Sequence, residues 1–215
     1  DDLIRKDLVQ EAIRLCSLVS RSKLLNVGAA HALLSLIYFI SSRTEARLDE
    51  EGNILLMKDQ DRSKWNQQLI SIGLHYLNLS AEGDELTEYH IEAAIVAQHS
   101  LAKNFAETNW PQILAMYNLL MQVNISPVVL LNRAIVIGKI DGAAIAIENI
   151  QSIPGIEKLS EKHYLFAATL GELHSQLHHY GEALAYFEKA IALTNSPAEK
   201  KLLAKKMNAV VRTGN

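Results

Sequence analysis

Apolar residues recur at steps of three and four along most of this chain, and this helical period restricts its fold more than any other feature. One such stripe lies in the first twenty residues and consists of Leu8, Ala12, Leu15 and Val19. Similar stripes follow near residues 65–79, 91–105 and 110–120. Because an amphipathic helix needs a surface against which to bury its apolar face, these helices must stack on one another. The sequence therefore predicts an all-α fold of antiparallel helical hairpins.

Helix start signals divide the chain into about ten helices. Ser126-Pro127 and Ser196-Pro197 each place a capping oxygen before a proline at the first helical position, and Glu199 adds a capping-box glutamate. We predict helices near 3–20, 24–46, 62–79, 87–105, 110–123, 127–138, 142–151, 160–178, 181–193 and 197–211. The stretch 47–61 is the one long irregular segment of this prediction.

Composition and motif content exclude several classes of function. The single cysteine, Cys16, excludes an internal disulfide framework and a cysteine-cluster zinc site. A net charge of −3 argues against a chain that coats nucleic acid along its length. No phosphate-binding glycine loop, dinucleotide fingerprint or nucleophile elbow occurs. We therefore expect a protein that is not an enzyme, with no catalytic residue, cofactor or metal. The first residue is not Met, so we expect a piece of a longer protein.

Three other features need a structural or a functional interpretation. The uncharged stretch 24–42 approaches the length of a membrane span, but its several polar and small residues favour a central buried helix, so we expect no membrane association. His174 and His178 stand four apart and could share a metal-ligand face. No supporting third ligand is evident nearby, and we interpret His174 as a packing residue. The C-terminal helix is basic, and we interpret its cations as a solvated outer face.

A tetratricopeptide-type repeat is visible from Tyr164 onward. Taking Tyr164 as its first position, small or apolar residues fall at the expected places, namely Leu170, Gly171, Ala183, Phe187 and Ala190. The preceding segment from Asp141 to Ala146 echoes the segment from Tyr180 to Ala185 weakly. We therefore predict a degenerate helical-hairpin array with a first part over 1–125 and repeat-like hairpins over 126–215; the alternative is a plain helical bundle that contains one such hairpin.

The most unusual local sequence is Asp59-Gln60-Asp61-Arg62-Ser63-Lys64-Trp65. We predict that Asp61 caps a helix start, that Asp59 or Asp61 holds Arg62 in an ion pair, and that Trp65 anchors the turn in the core. The alternative interpretation is a carboxylate pair that binds a cation or takes part in acid–base chemistry. We favour the structural interpretation because no second catalytic group can be nominated.

Several short runs, taken in order, carry a family resemblance over nearly the whole chain. The specific ones are Asp59 to Ser63 and Leu131-Asn132-Arg133-Ala134, with support from Glu11 to Leu15, Lys64-Trp65, Tyr89, Ala93 to Ile95, His99, Thr108, Trp110, Ser126 to Val129, Glu182-Ala183, Tyr186, Thr194-Asn195 and Glu199. Together they resemble the tetratricopeptide-like C-terminal extension of a bacterial RNA polymerase sigma factor of the extracytoplasmic-function type.

This resemblance implies a regulatory, protein-interaction domain that acts in the cytoplasm. Its partners would be the upstream sigma domains of the same protein or core RNA polymerase, and DNA would be contacted only through those upstream domains. We expect Asp59, Asp61, Arg62, Asn132 and Arg133 to act through buried pairing or through partner docking. Two alternatives stay open, a free-standing peptide-binding scaffold and a small-molecule or metal sensor that uses the 47–61 loop or the two histidines.

Overall fold

The computed structural model describes residues 5–21, 27–82 and 85–214, and throughout these ranges the regular structure is helical, without a β-strand. The α-helices are α1 (Lys6–Val19), α2 (Val27–Ser42), α3 (Gln67–Ser80), α4 (Glu88–Leu101), α5 (Trp110–Val123), α6 (Pro127–Ile140), α7 (Ala143–Gln151), α8 (Ile156–Lys162), α9 (Tyr164–Gln176), α10 (Tyr180–Leu193) and α11 (Pro197–Gly214). Three short 3₁₀ turns, Thr44–Ala46, Met57–Asp59 and Arg62–Lys64, lie between α2 and α3. The predicted all-α class is confirmed. None of the helices described is both long and apolar enough to cross a membrane.

The chain divides into two units by its internal contacts. The first comprises Asp1–Asp49 and Leu55–Asn124, and the second comprises Glu50–Ile54 and Ile125–Asn215. The division after Asn124 lies beside the boundary that we predicted, and the structure additionally assigns the short piece 50–54 to the second unit. Each unit contains its own clusters of buried apolar residues.

In the first unit, α2 and α3 pack closely because a glycine faces an aromatic ring. Phe39 of α2 is fully buried, and a Cβ placed on Gly73 of α3 would lie 3.0 Å from its ring. Beside this contact, the hydroxyl of Ser35 donates to the carbonyl oxygen of Gly73 at 2.8 Å. Trp65 joins the same core with 3% of its surface exposed. The uncharged stretch is thus largely the buried helix α2, as predicted.

The second unit repeats this type of contact in its α9–α10 hairpin. A Cβ on Gly171 would lie 3.0 Å from the ring of Phe187, which is 1% exposed. Ala183 and Ala190 of α10 are fully buried beside it. The packing roles predicted from the repeat pattern are therefore confirmed for this hairpin. The preceding hairpin, α6–α7, is also closely packed, since a Cβ on Gly138 would lie 2.8 Å from that of Ala146.

The structure departs from the predicted helices at four places. The helix predicted over 87–105 ends at Leu101. The predicted helix 160–178 is two helices, because His163 adopts extended backbone between α8 and α9. The predicted helix 62–79 begins only at Gln67, after a 3₁₀ turn and two extended residues. The helix predicted over 24–46 ends at Ser42, before a 3₁₀ turn. The predicted starts at residues 3 and 24 lie outside the described residues.

Helix α1 turns a different face inward from the one its period predicted. Leu8, Leu15 and Val19 are 57%, 49% and 40% exposed. The partly buried residues of the helix are Val9, Ala12, Ile13, Cys16 and Ser17, so Ala12 is the one member of the predicted stripe that is partly buried. Apolar side chains surround much of this helix, so its period is compatible with two neighbouring faces. Burial raises the pKa of the partly buried Cys16 thiol, which disfavours the thiolate form.

Candidate functional site

The segment from Asp59 to Trp65 forms a turn that leads into α3. Asp61 accepts hydrogen bonds from the amide of Ser63 at 2.9 Å and from its hydroxyl at 2.7 Å, and these bonds lower the pKa of the Asp61 carboxyl. Asp61 therefore caps the 3₁₀ turn, whereas Asn66 caps α3 by accepting from the amide of Leu69. Gln60 is buried and donates to the carbonyl oxygen of Leu55 at 3.1 Å. Asp59 is exposed.

The predicted ion pair of Arg62 with Asp59 or Asp61 is wrong. Nη1 of Arg62 donates instead to the carbonyl oxygens of His99 at 2.5 Å and Ala102 at 3.3 Å. These carbonyls lie at the C-terminal end of α4, where free acceptors and the negative end of the helix dipole favour a cation. The carboxylate of Asp61 accepts hydrogen bonds from Ser63 within its own turn, whereas Arg62 donates to the end of α4.

The Trp65 ring packs against this arginine, and further aromatic rings pack together beside the end of α4. The guanidinium carbon of Arg62 lies 3.9 Å from the centre of the Trp65 ring, within the range of a cation–π contact. The His99 ring meets the Trp110 ring edge-on at 5.4 Å, and Phe105 meets Trp110 at 5.1 Å. The structure therefore brings together residues from three separated parts of the sequence that carry the resemblance.

Arg43, at the end of α2, belongs to the same place. We call Arg43, Arg62, Trp65, His99 and Trp110 the arginine–tryptophan cluster. Burial and the neighbouring cations Arg47 and Arg62 lower the pKa of Arg43, and burial lowers that of Arg62. Burial together with Arg43 and Arg62 lowers the pKa of the His99 imidazole to about 4, so this ring is neutral at pH 7. In the sequence Arg43 directly follows the uncharged stretch 24–42, and no motif indicates its neighbours.

The polar atoms of this cluster are incompletely satisfied. Four buried nitrogens of the cluster have no hydrogen-bond partner among the described residues, namely Arg43 Nε, Arg62 Nη2, Trp65 Nε1 and His99 Nδ1. Native proteins leave few buried polar groups unpaired, because each such group costs its full desolvation energy. The cluster therefore differs from a purely structural core, although it has no obvious nucleophile.

The second predicted run lies in the other unit. Asn132 and Arg133 are partly buried on α6, between Leu131 and Ala134 of the apolar core. The two specific runs therefore lie in different units. The first contributes Arg62 and Trp65 to the arginine–tryptophan cluster, and the second flanks a helix–helix contact.

His174 and His178, the two histidines that stand four apart, have different neighbours. The ring of His174 stacks on Tyr186 at 5.4 Å and approaches His179 at 5.7 Å, while His178 Nδ1 lies 2.8 Å from the Tyr180 hydroxyl. His174 therefore fills the packing position that the repeat pattern assigned to it. In the ranges that the structure describes, no group of three or more histidine, cysteine, aspartate or glutamate residues is placed to hold a metal ion.

A cavity of about 270 Å³ lies elsewhere in the first unit, between α1 and the end of α2. Its wall combines apolar, charged and amide side chains, and includes Lys6, Val9, Gln10, Ile13, Ser41, Ser42, Thr44, Glu45, Lys64, Asn66 and Leu69. The Ser42 hydroxyl donates to the carbonyl oxygen of Phe39, and the Asn66 side chain accepts from the amide of Leu69. The cavity therefore offers mainly an apolar floor and flexible charged side chains, without an assembled polar site.

Comparison with known proteins gives a limited set of similarities. Residues 1–81 match a family of unknown function, DUF6596. The chain is 34% identical over 200 residues to an uncharacterized protein of Rhizobium meliloti (strain 1021), a match that covers 91% of this chain and 45% of that protein. The chain thus spans about half the length of the curated relative it matches. No solved structure matches.

Proposed function

We propose that this chain is a non-catalytic regulatory and protein-interaction domain of an extracytoplasmic-function RNA polymerase sigma factor, acting in the cytoplasm on promoter-specific transcription initiation. The observation that carries the proposal is the convergence of Arg62, Trp65, His99 and Trp110. These residues belong to separate runs that carry the resemblance, and a chance resemblance would not be expected to select residues that pack together.

Two further observations support the proposal. Stacked helical hairpins present extended surfaces that are suited to binding other proteins. The relative from Rhizobium meliloti is more than twice as long as the region it shares with this chain, which leaves room in that protein for further domains. Under this proposal the partners are the sigma domains of the same protein or core RNA polymerase, and DNA is contacted only through those other domains.

The proposal is tested by transcription in vitro with purified core polymerase. The full-length protein should direct initiation from its promoter, and deletion of this domain should change the amount of transcript while promoter recognition is retained. The variant Arg62→Ala should reproduce part of that change, and Lys64→Ala, which alters an exposed neighbour, should not. A full-length protein that neither binds core polymerase nor supports initiation would overturn the proposal.

A second candidate function is a free-standing peptide-binding scaffold. It is favoured by the α9–α10 hairpin, in which Gly171 lies under Phe187 as in a tetratricopeptide unit. Such a scaffold would bind a defined peptide through the isolated chain, with no change when sigma domains or polymerase are added. The two candidates therefore differ in whether binding requires the transcription machinery.

A further inference from the structure

The arginine–tryptophan cluster concentrates positive charge without a carboxylate to balance it. The end of α2 lies beside this turn, since the carbonyl oxygen of Ser42 accepts from the amide of Asn66 at 2.8 Å. Arg62 lowers the pKa of Arg43, and both arginines lower that of His99. Among the residues that the structure describes, no ion pair joins Arg43 or Arg62 to an acidic side chain. Because a charge taken out of water is costly unless it is paired, two neighbouring guanidiniums in this position indicate a missing negative partner.

The unpaired nitrogens of the arginine–tryptophan cluster can all act as hydrogen-bond donors. Arg43 Nε, Arg62 Nη2 and Trp65 Nε1 can only donate hydrogen bonds, and none of them meets an acceptor among the described residues. Trp65 is 97% buried, so bulk water does not satisfy its indole nitrogen. His99 Nδ1 can supply a further donor, since the tautomer of a neutral imidazole follows its partners. An acceptor with several lone pairs is therefore the complementary group.

We propose that the arginine–tryptophan cluster binds one small oxyanion, the carboxylate or phosphate group of a ligand, between the guanidiniums of Arg43 and Arg62. A planar guanidinium matches such a group with two parallel hydrogen bonds. Arg62 is held for this role by the carbonyl oxygens of His99 and Ala102 and by the Trp65 ring. The inference is independent of the proposed sigma-factor role, because it depends only on the charges and donors of the cluster.

Tryptophan fluorescence is a direct probe of this site. The chain has two tryptophans, Trp65 and Trp110, and both belong to the cluster. The full chain is titrated separately with sodium phosphate and sodium acetate, at an ionic strength held constant with sodium chloride. We expect a saturable change in fluorescence with phosphate or acetate and none with chloride alone. Tighter binding of acetate would identify a carboxylate as the natural ligand group, and tighter binding of phosphate would identify a phosphate.

Two variants test the assignment to these side chains. Arg43→Gln should weaken the saturable binding by about tenfold or more, because a charged, two-bond contact is lost. Arg47→Gln removes an exposed neighbouring charge and should leave the affinity within about twofold. Trp65→Phe keeps a ring beneath Arg62 and removes only the indole donor, so it should weaken binding with Trp110 as the remaining reporter. Absence of saturable phosphate or acetate binding by the wild-type chain, or equal binding by Arg43→Gln, would overturn the inference.

Discussion

The guanidinium carbon of Arg62 lies over the Trp65 indole, 3.9 Å from the ring centre. The same guanidinium donates to the last carbonyl oxygens of α4. One side chain thereby connects the turn before α3 to the end of α4. A positive charge here does three things at once: it stacks on an aromatic face, satisfies helix-terminal acceptors and complements the helix dipole.

Replacement of Arg62 should lower the free energy of unfolding, because all three interactions are lost together. Arg62→Ala removes the two hydrogen bonds and the ring contact, and we expect the free energy of unfolding to fall by about 2–3 kcal/mol. Arg62→Lys keeps the charge but lacks the planar fork, so it should recover less than half of that loss. Urea denaturation measures both values, with Lys64→Ala as the exposed control. Full recovery by lysine would show that charge alone is required.

The pH dependence of stability should include a measurable contribution from the buried imidazole of His99. Its pKa is about 4 in the folded chain, against 6.5 for the free side chain. Between these values the unfolded chain binds a proton that the folded chain does not, so stability falls as the pH drops from 6.5 to 4, by up to about 3 kcal/mol. This loss should be absent in His99→Gln and retained in His75→Gln, where an exposed histidine is changed. Parallel pH profiles for wild type and His99→Gln would contradict the burial of His99.

Much of the fold could be predicted because helical period, caps and small residues act locally. Gly171 and Phe187 were assigned to one helix contact from spacing alone, and the structure places them in contact. The break at His163 could not be predicted, since the apolar period continues from Ile156 through Phe166 across it. The period of α1 was compatible with two faces, and only the tertiary packing selects between them.

The candidate site was less predictable because its contacts are distant in sequence. The prediction paired Arg62 with an acidic residue of its own run, as local charge patterning suggests. The actual acceptors are backbone carbonyls 37 and 40 positions away, and carbonyl oxygens leave no trace in a sequence. Arg43 reaches the cluster from the end of α2, where no motif surrounds it.

The close contact at Gly171 predicts a cost for any added side chain. Gly171→Ala would place a Cβ 3.0 Å from the Phe187 ring, and the resulting overpacking should lower stability by about 1–3 kcal/mol. Gly181 supplies a matched control, because a Cβ there meets nothing within 4 Å. Gly181→Ala should be neutral or stabilising by up to about 1 kcal/mol, owing to the higher helix propensity of alanine. The melting temperature of Gly171→Ala should therefore be lower than that of Gly181→Ala.

The contacts of Glu199 predict an effect on the pKa of Tyr164 and on the stability of the second unit. It was expected to complete a capping box, but its carboxylate instead accepts from the Tyr164 hydroxyl at 2.6 Å and from the hydroxyl of Thr194. Burial and this carboxylate raise the pKa of Tyr164. Glu199→Gln should lower that pKa and reduce stability by about 1–3 kcal/mol, whereas Glu188→Gln on an exposed face should do neither. Urea denaturation and NMR titration of the Tyr164 ring provide the two readouts.

The orientation of α1 predicts that two nearby apolar residues contribute unequally to the free energy of unfolding. Leu15 is 49% exposed, whereas Ile13 is partly buried and lines the cavity beside α2. Leu15→Gln should change the free energy of unfolding by less than about 0.5 kcal/mol, and Ile13→Gln should lower it by about 1–2 kcal/mol as apolar contact is lost. Glutamine is well tolerated in helices, so the same replacement at both positions isolates burial from helix propensity. Urea denaturation decides the order, and a larger loss at Leu15 would mean that the stripe of Leu8, Leu15 and Val19 is the face that packs.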